Sequence, residues 1–200
     1  MDGYLKPEGG RYVHNYYRYA LTTGETTMVT DHPFYTGLGD EAAEDAARVE
    51  RFRNGTISLP EPRRRVRLSE GHGRYPLTPA SGEGRIVVHQ VLPLRWGGGR
   101  RELAVVFSDW SGGSGTFFSL AIFADDVETF ITRVFLGDRI GIDGLRRVDL
   151  DRRQSADYRL AVTLRDRRSN QGYADKPTVL GTRYFEVTDG QVVEVPAPER

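Results

Sequence analysis

Asp109, Asp125, Asp126, Asp138 and Asp143 all stand at the ends of apolar runs. Carboxylates so placed could serve glycoside hydrolysis as an acid and a base, provided one has a raised and the other an ordinary pKa across a cleft. Asp109 and Asp138 are the candidate pair, and Trp110 could stack on a sugar ring. The sequence does not give the separation of the two groups. Aspartate also belongs at strand ends for a plainer reason, because its side chain bonds neighbouring backbone and shapes turns. Asp138-Arg139, following Gly137, read as a local structural ion pair.

The stretch Asp109-Trp110-Ser111-Gly112-Gly113-Ser114-Gly115 is glycine-rich but joins two apolar runs with strand character. It lacks both the Gly-Lys-Ser/Thr ending of a phosphate loop and the strand-to-helix setting of a dinucleotide fingerprint. Ser111 and Ser114 have no adjacent histidine and no Gly-x-Ser-x-Gly elbow. His89 has no second histidine at ligand spacing, so it reads as structural. With no cysteine in the chain, disulfides, thiolate metal sites and a thiol nucleophile are excluded. No catalytic residue, metal site or cofactor is expected. Binding is the alternative use of the same loop: an indole on an anchored tip either folds back onto the sheet or anchors an interface. Trp110, Ser111, Gly112, Gly113 and Ser114 are therefore the candidate contact residues. A second candidate is the tyrosine-rich start of the chain, Tyr4, Tyr12, Tyr16, Tyr17, Tyr19 and Tyr35. Through Tyr16 and Tyr17 it could pack as an arm on a partner. The other reading is a strand over residues 16–22 laid on the domain's own sheet.

The loop requires rigid strands on both sides. Residues 103–107 and 116–124 are runs of apolar, β-branched and aromatic residues with glycine-rich punctuation, the pattern of strands at the centre of a sheet. Further strands are expected at 56–59, 63–68, 85–92, 127–136, 158–165, 178–187 and 191–195. The basic run at 63–68 suits a charge-guarded edge strand, and Pro93 should stop the strand at 85–92. Tyr158, Leu160, Val162 and Leu164 fall on one face of an alternating strand, and Asp189-Gly190 suits a two-residue hairpin turn. One helix is expected, over residues 41–53. Asp40 is its N-cap, its acidic residues come first and its basic ones last, and a narrow stripe runs through Leu38, Ala42, Ala46, Val49 and Phe52 or Arg53. Asn54-Gly55 ends it. The fold class is α+β, mainly antiparallel β-sheet with one short N-terminal helix. The stiff Pro60-Glu61-Pro62 connector divides an N-terminal elaboration, 1–62, from a β-rich main domain, 63–200.

Twenty-eight basic and 28 acidic residues cancel, which removes the bulk electrostatic argument for nucleic acid or anionic membrane. Nearly every basic residue is arginine, a pattern that coding bias explains; lysine occurs only at Lys6 and Lys176. No run reaches the ~20 apolar residues of a membrane span, and the first residues lack the form of a signal peptide.

Several motifs occur in a telling order: Gly-Gly-Ser-Gly-Thr-Phe at 112–117, Leu-Gly-Asp-Arg at 136–139, the alternating strand at 160–164, Pro-Thr-Val at 177–179, and the final strand from Asp189 to Val193. Across roughly residues 65–195 this order resembles the mycobacterial lipoproteins called LppP/LprE-like, and uncharacterised secreted β-rich domains. The resemblance implies an exported protein of the periplasm or cell surface, with a cytoplasmic one as the alternative, and no catalytic residues. It also implies an oxygen-rich loop suited to calcium before the central strand. Here that place holds Trp96-Gly97-Gly98-Gly99-Arg100-Arg101, without the aspartates. The expected function is a non-catalytic binding or assembly protein of the bacterial cell envelope, an accessory subunit with a protein partner or a second copy. The alternative is a carbohydrate-active hydrolase built on the strand-end aspartates.

Overall fold

The computed structural model describes residues 17–19, 26–28, 33–60, 64–77, 82–95, 100–126, 129–148, 158–168, 170–172, 174–188 and 190–198, with side chains from Glu41 onward. The chain is α+β, with mainly antiparallel strands and, among the described residues, one helix. It separates into two compact units, Met1–Ala47 and Arg48–Arg200.

In the first unit, β1 (Tyr17–Tyr19) and β2 (Thr26–Met28) form a two-stranded antiparallel sheet of their own. Tyr17 is thus half of a small hairpin and not part of a strand added to a larger sheet. Tyr16 lies outside the described residues. The helix α1 (Pro33–Arg53) is 21 residues long and starts well before the expected position, so Asp40 is internal and does not cap it. Proline is well suited to a first helical position, where its missing N–H costs nothing. Gly37 and Gly39 hide this start in the sequence, since an interior glycine costs about 1 kcal/mol relative to alanine. The expected stripe is also displaced. Ala42 and Ala46 are exposed, and the buried positions of the last turns are Arg48 and Phe52.

The second unit holds two sheets in which each strand pairs with its neighbour in sequence. The larger runs β3 (Thr56–Leu59), β4 (Arg64–Ser69), β5 (His72–Pro76), β6 (Glu83–Arg95), β7 (Arg101–Trp110), β8 (Phe117–Ala124) and β9 (Phe130–Asp138). The smaller runs β10 (Gly141–Val148), β11 (Tyr158–Asp166), β12 (Val179–Thr188) and β13 (Gln191–Val195). β3 and β4, on either side of residues 60–62, pair with each other, which places that connector within one hairpin. The basic strand β4 is an inner strand between β3 and β5, and β3 takes the edge. Val66 and Leu68 are buried while Arg65 and Arg67 point to solvent, so the charges mark the exposed face and not an open edge. β6 continues through Pro93 to Arg95. Its pairing with β5 stops at Val87, which leaves Pro93 paired with β7 alone, and a proline is tolerated where one side of a strand is open. β10 was not anticipated. Its Gly141, Asp143 and Gly144 are poor strand formers, and a bulge falls between Ile142 and Gly144.

β7 and β8 are buried on both faces, and their alternate residues feed two cores. Leu103, Val105, Phe107, Ala121 and Phe123 join Phe52, Ile57, Val66, Leu68, Tyr75 and Ile86. Ala104, Val106, Leu120 and Ile122 join Leu160, Val162, Leu164, Phe185 and Val187 of the smaller sheet. Each of the larger side chains contributes about 1.5–3 kcal/mol by burial. The end of α1 closes one core. Phe52 meets Phe123 edge to face at 5.0 Å, while Arg48, 1% exposed, pairs with Asp125 and donates to the Glu102 carbonyl at 2.9 Å.

Candidate functional site

The β7–β8 loop is held at both ends. The Trp110 indole N–H donates to the Gly113 carbonyl at 2.7 Å, and Arg85, opposite Trp110 on β6, lays its guanidinium 5.4 Å from the indole. Trp110 is therefore folded onto its own loop, and Ser111, Gly112, Gly113 and Ser114 are what that loop exposes. Gly112 has a φ of 85°, a conformation glycine adopts without steric cost. At the base, Asp138 accepts the Thr116 amide at 2.8 Å, and the Arg139 amide donates to the Thr116 carbonyl at 2.7 Å. The Arg139 guanidinium also holds the second Asp138 oxygen, at 3.1 and 3.0 Å. Asp138 and Arg139 together clamp the loop. Burial pushes the Asp138 carboxyl up, but the hydrogen bonds from Arg139 and Thr116 and the charges of Arg139 and Arg167 outweigh it and hold the group below its ordinary value.

Beside this clamp lie two aromatic side chains that the sequence reading did not single out. Phe117 begins β8 and Phe135 lies near the end of β9; they are 45% and 55% exposed, with ring centroids 6.2 Å apart. Phe117 stands on a strand whose next six residues are buried, and Phe135 precedes the buried Leu136. The Phe117 ring also backs the loop, since a Cβ at Gly115 would come within 2.9 Å of it.

Asp109 is committed to a different cluster. Tyr75 donates its hydroxyl to Asp109 Oδ1, and the Arg64 guanidinium stacks 3.9 Å from the Tyr75 ring centroid, with Nη1 3.9 Å from Asp109 Oδ2. Gly84, opposite Tyr75, makes room for the ring, because a Cβ there would lie 2.1 Å from it. Burial, then the hydrogen bond to Asp109 and its charge, push the Tyr75 hydroxyl up to about 12 against the opposing effect of Arg64. A phenol in that state is a donor and no base. The three partners come from three strands, so no local motif announces them.

His89 falls at a bulge between Val88 and Gln90, places Nε2 2.9 Å from Ser108 Oγ, and stacks on Phe118 at 5.1 Å. The distance suits a nucleophile and base, but Ser108 is buried where no substrate reaches. Burial, and then the charge of nearby His72, push the His89 pKa down. Among the described residues no cluster of three or more His, Cys, Asp or Glu is placed to hold a metal ion. Nor is any helix among them long and apolar enough to cross a membrane.

The structure thus brings Trp110, Ser111, Gly112, Gly113 and Ser114 together with Asp138 and Arg139, while Tyr17 belongs to the first unit. No family model matches the chain, and no curated protein or solved structure matches it at a significant level.

Proposed function

We propose that the chain is a non-catalytic binding protein of the bacterial cell envelope, an accessory subunit whose contact surface is the Phe117–Phe135 pair with the exposed loop residues Ser111, Gly112, Gly113 and Ser114. The observation that carries this reading is the aromatic pair itself, exposed on rigid strands beside a loop clamped at its base. Aromatic anchors on preorganised backbone are the common form of a binding hot spot, because little freedom is lost on docking. The LppP/LprE-like order of motifs supports an exported protein. The chemistry of the aspartates supports binding over hydrolysis. A glycosidase acid needs a raised carboxyl, whereas Asp138 is held low and Asp109 takes the Tyr75 hydroxyl.

The test is a Phe117→Ser, Phe135→Ser double variant, first checked for an unchanged melting temperature. Self-association is measured by sedimentation velocity over a concentration series, and partner capture by quantitative affinity purification from solubilised envelope. The expected result is that one of these associations exists and falls at least about tenfold in the double variant, as loss of a hot spot implies. A wild-type monomer that captures nothing, or an association indifferent to both substitutions, overturns the proposal. So does glycan hydrolysis that disappears in Asp138→Asn.

A further inference from the structure

We infer that the open edge of β12 pairs with the same edge of a second copy of this chain, so that the two smaller sheets join into one antiparallel sheet about a two-fold axis at Gly181. β12 outruns its outer neighbour. It pairs with β11 from Val179 to Val187, whereas β13 meets it only from Tyr184 to Thr188. Among the described residues no strand pairs with the other side of Val179, Leu180, Gly181, Thr182 and Arg183, and Pro196, Ala197 and Pro198 follow β13 without joining the ladder.

The backbone decides what fits there. Thr188 and Gln191 flank a two-residue connection, so they exchange both hydrogen bonds, and bonded pairs alternate along an antiparallel ladder. Tyr184, Glu186 and Thr188 therefore aim their N–H and C=O groups at β13. By the same alternation Leu180 and Thr182 aim theirs at the open side, and donors and acceptors in such a row are met by an extended backbone. Natural sheets guard a bare edge with lysine, proline, inward charge or a bulge. Val179 to Thr182 holds none of these, and Leu180 and Val179 are 60% and 44% exposed.

The register selects a second copy as the added strand. A two-fold contact places residue i opposite j and j opposite i, and only pairing centred on Gly181 uses all five open positions of both copies. It sets Leu180 of each copy opposite Thr182 of the other, so the open donors and acceptors of the two edges meet. Gly181 itself falls where the two backbones come closest, a place that suits a residue without a side chain. The two Leu180 side chains lie diagonally across the axis on one face and cover each other. With 28 basic and 28 acidic residues, no net charge holds two copies apart. Five residues a side make a small contact, so the association is weak and reversible.

The chain has no cysteine, so Gly181→Cys introduces one thiol per copy. Pairing centred there brings the two positions to about 4.5 Å between Cα atoms, within the span of a disulfide. Mild oxidation at high protein concentration should link Gly181→Cys into covalent dimers at least about tenfold faster than Val179→Cys, whose two positions stand roughly 14 Å apart in that register. Leu180→Pro removes the outward N–H and keeps the bonds to β11. It should weaken self-association in sedimentation velocity by at least about tenfold. Leu180→Lys guards the edge with charge and reads the same contact where proline lowers the melting temperature. The contact is separate from the Phe117–Phe135 surface. The Phe117→Ser, Phe135→Ser double variant should cross-link through Gly181→Cys as the parent does, and association that survives Leu180→Pro is the part the aromatic pair has to explain. A wild type monomeric throughout the concentration series, equal linking of the two cysteine variants, or self-association indifferent to both Leu180 substitutions would each overturn the inference. So would a pure chain that stays monomeric while Leu180→Lys abolishes capture of another envelope protein, which would give the edge to a different chain.

Discussion

His89 is the group whose charge most directly opposes the fold. Its ring is largely enclosed, stacked on Phe118 and bonded to Ser108, and its pKa is pushed below the ordinary 6.5. The folded chain therefore prefers neutral imidazole, while the unfolded chain takes up a proton near pH 6.5. Stability from this residue is complete above that pH and is lost as the pH falls through it toward the lower folded value. Asp138 and Glu194, also pushed down, lose their contributions only as the pH drops below the ordinary carboxylate range. Between about pH 7 and pH 5.5 the slope of unfolding free energy should thus be shallower in His89→Gln than in the wild type. Urea titrations at a series of pH values measure it, and parallel slopes would contradict the assignment. Single residues were only partly readable. Asp138-Arg139 can be seen because the two are adjacent, and His89 because it interrupts a strand. Arg64, Tyr75 and Asp109 cannot, since only the pairing of β4, β5, β6 and β7 brings them together.

The turn between β4 and β5 is a compact device with a weak point. Glu70 and Gly71 have φ values of 53° and 82°, forming the two-residue turn that twisted hairpins prefer. The turn also anchors the helix, because the Glu70 carbonyl accepts from Arg53, its amide donates to Asn54 Oδ1 at 2.9 Å, and the Gly71 amide donates to the Arg53 carbonyl. All these contacts use backbone atoms, one of Gly71 and the rest of Glu70. The Glu70 side chain only incurs the left-handed penalty of about 1–2 kcal/mol. Glu70→Asn, which gives the preferred Asn-Gly pair, should raise unfolding free energy by about 0.5–1 kcal/mol. A denaturant midpoint that stays put or falls would count against the turn's conformation. Punctuation of this kind was readable, as were the central strands, where burial on both faces leaves long apolar runs. β13 is readable as well. Continuing its register beyond Tyr184 and Val195 would set Pro196 against Arg183 and Pro198 against Gly181. Neither proline can donate an N–H, so the strand ends and Val179 to Arg183 pair on the β11 side alone, with Leu180 60% exposed. The helix start and β10 were hidden because packing outweighs poor local propensity there.

The molecule as a whole shows why fold and function differ in how readily they are read. Alternation along β7 and β8 carries two cores at once, so the stacking of sheets follows from residue patterns. The proposed contact surface depends on which few aromatics are left over, and Phe117 and Phe135 resemble their buried neighbours until the strands are assembled. The order of the strands has a consequence of another kind. In both larger sheets every hydrogen-bonded partner is the next strand along the chain, with no crossover. Each pairing thus closes a short loop, and the entropy of ordering is met hairpin by hairpin. Proteins dominated by such local pairings reach the native state sooner than those that must join distant segments, and all-β domains with many distant pairings take milliseconds to seconds. Refolding from urea, followed by tryptophan fluorescence in a stopped-flow instrument, should therefore have its dominant phase finished within about 1 s; a dominant phase lasting minutes would mean that docking of the two sheets, and not zipping of the hairpins, limits the rate. The same arrangement lets each hairpin form as it leaves the ribosome, before the strands that will cover it have been made.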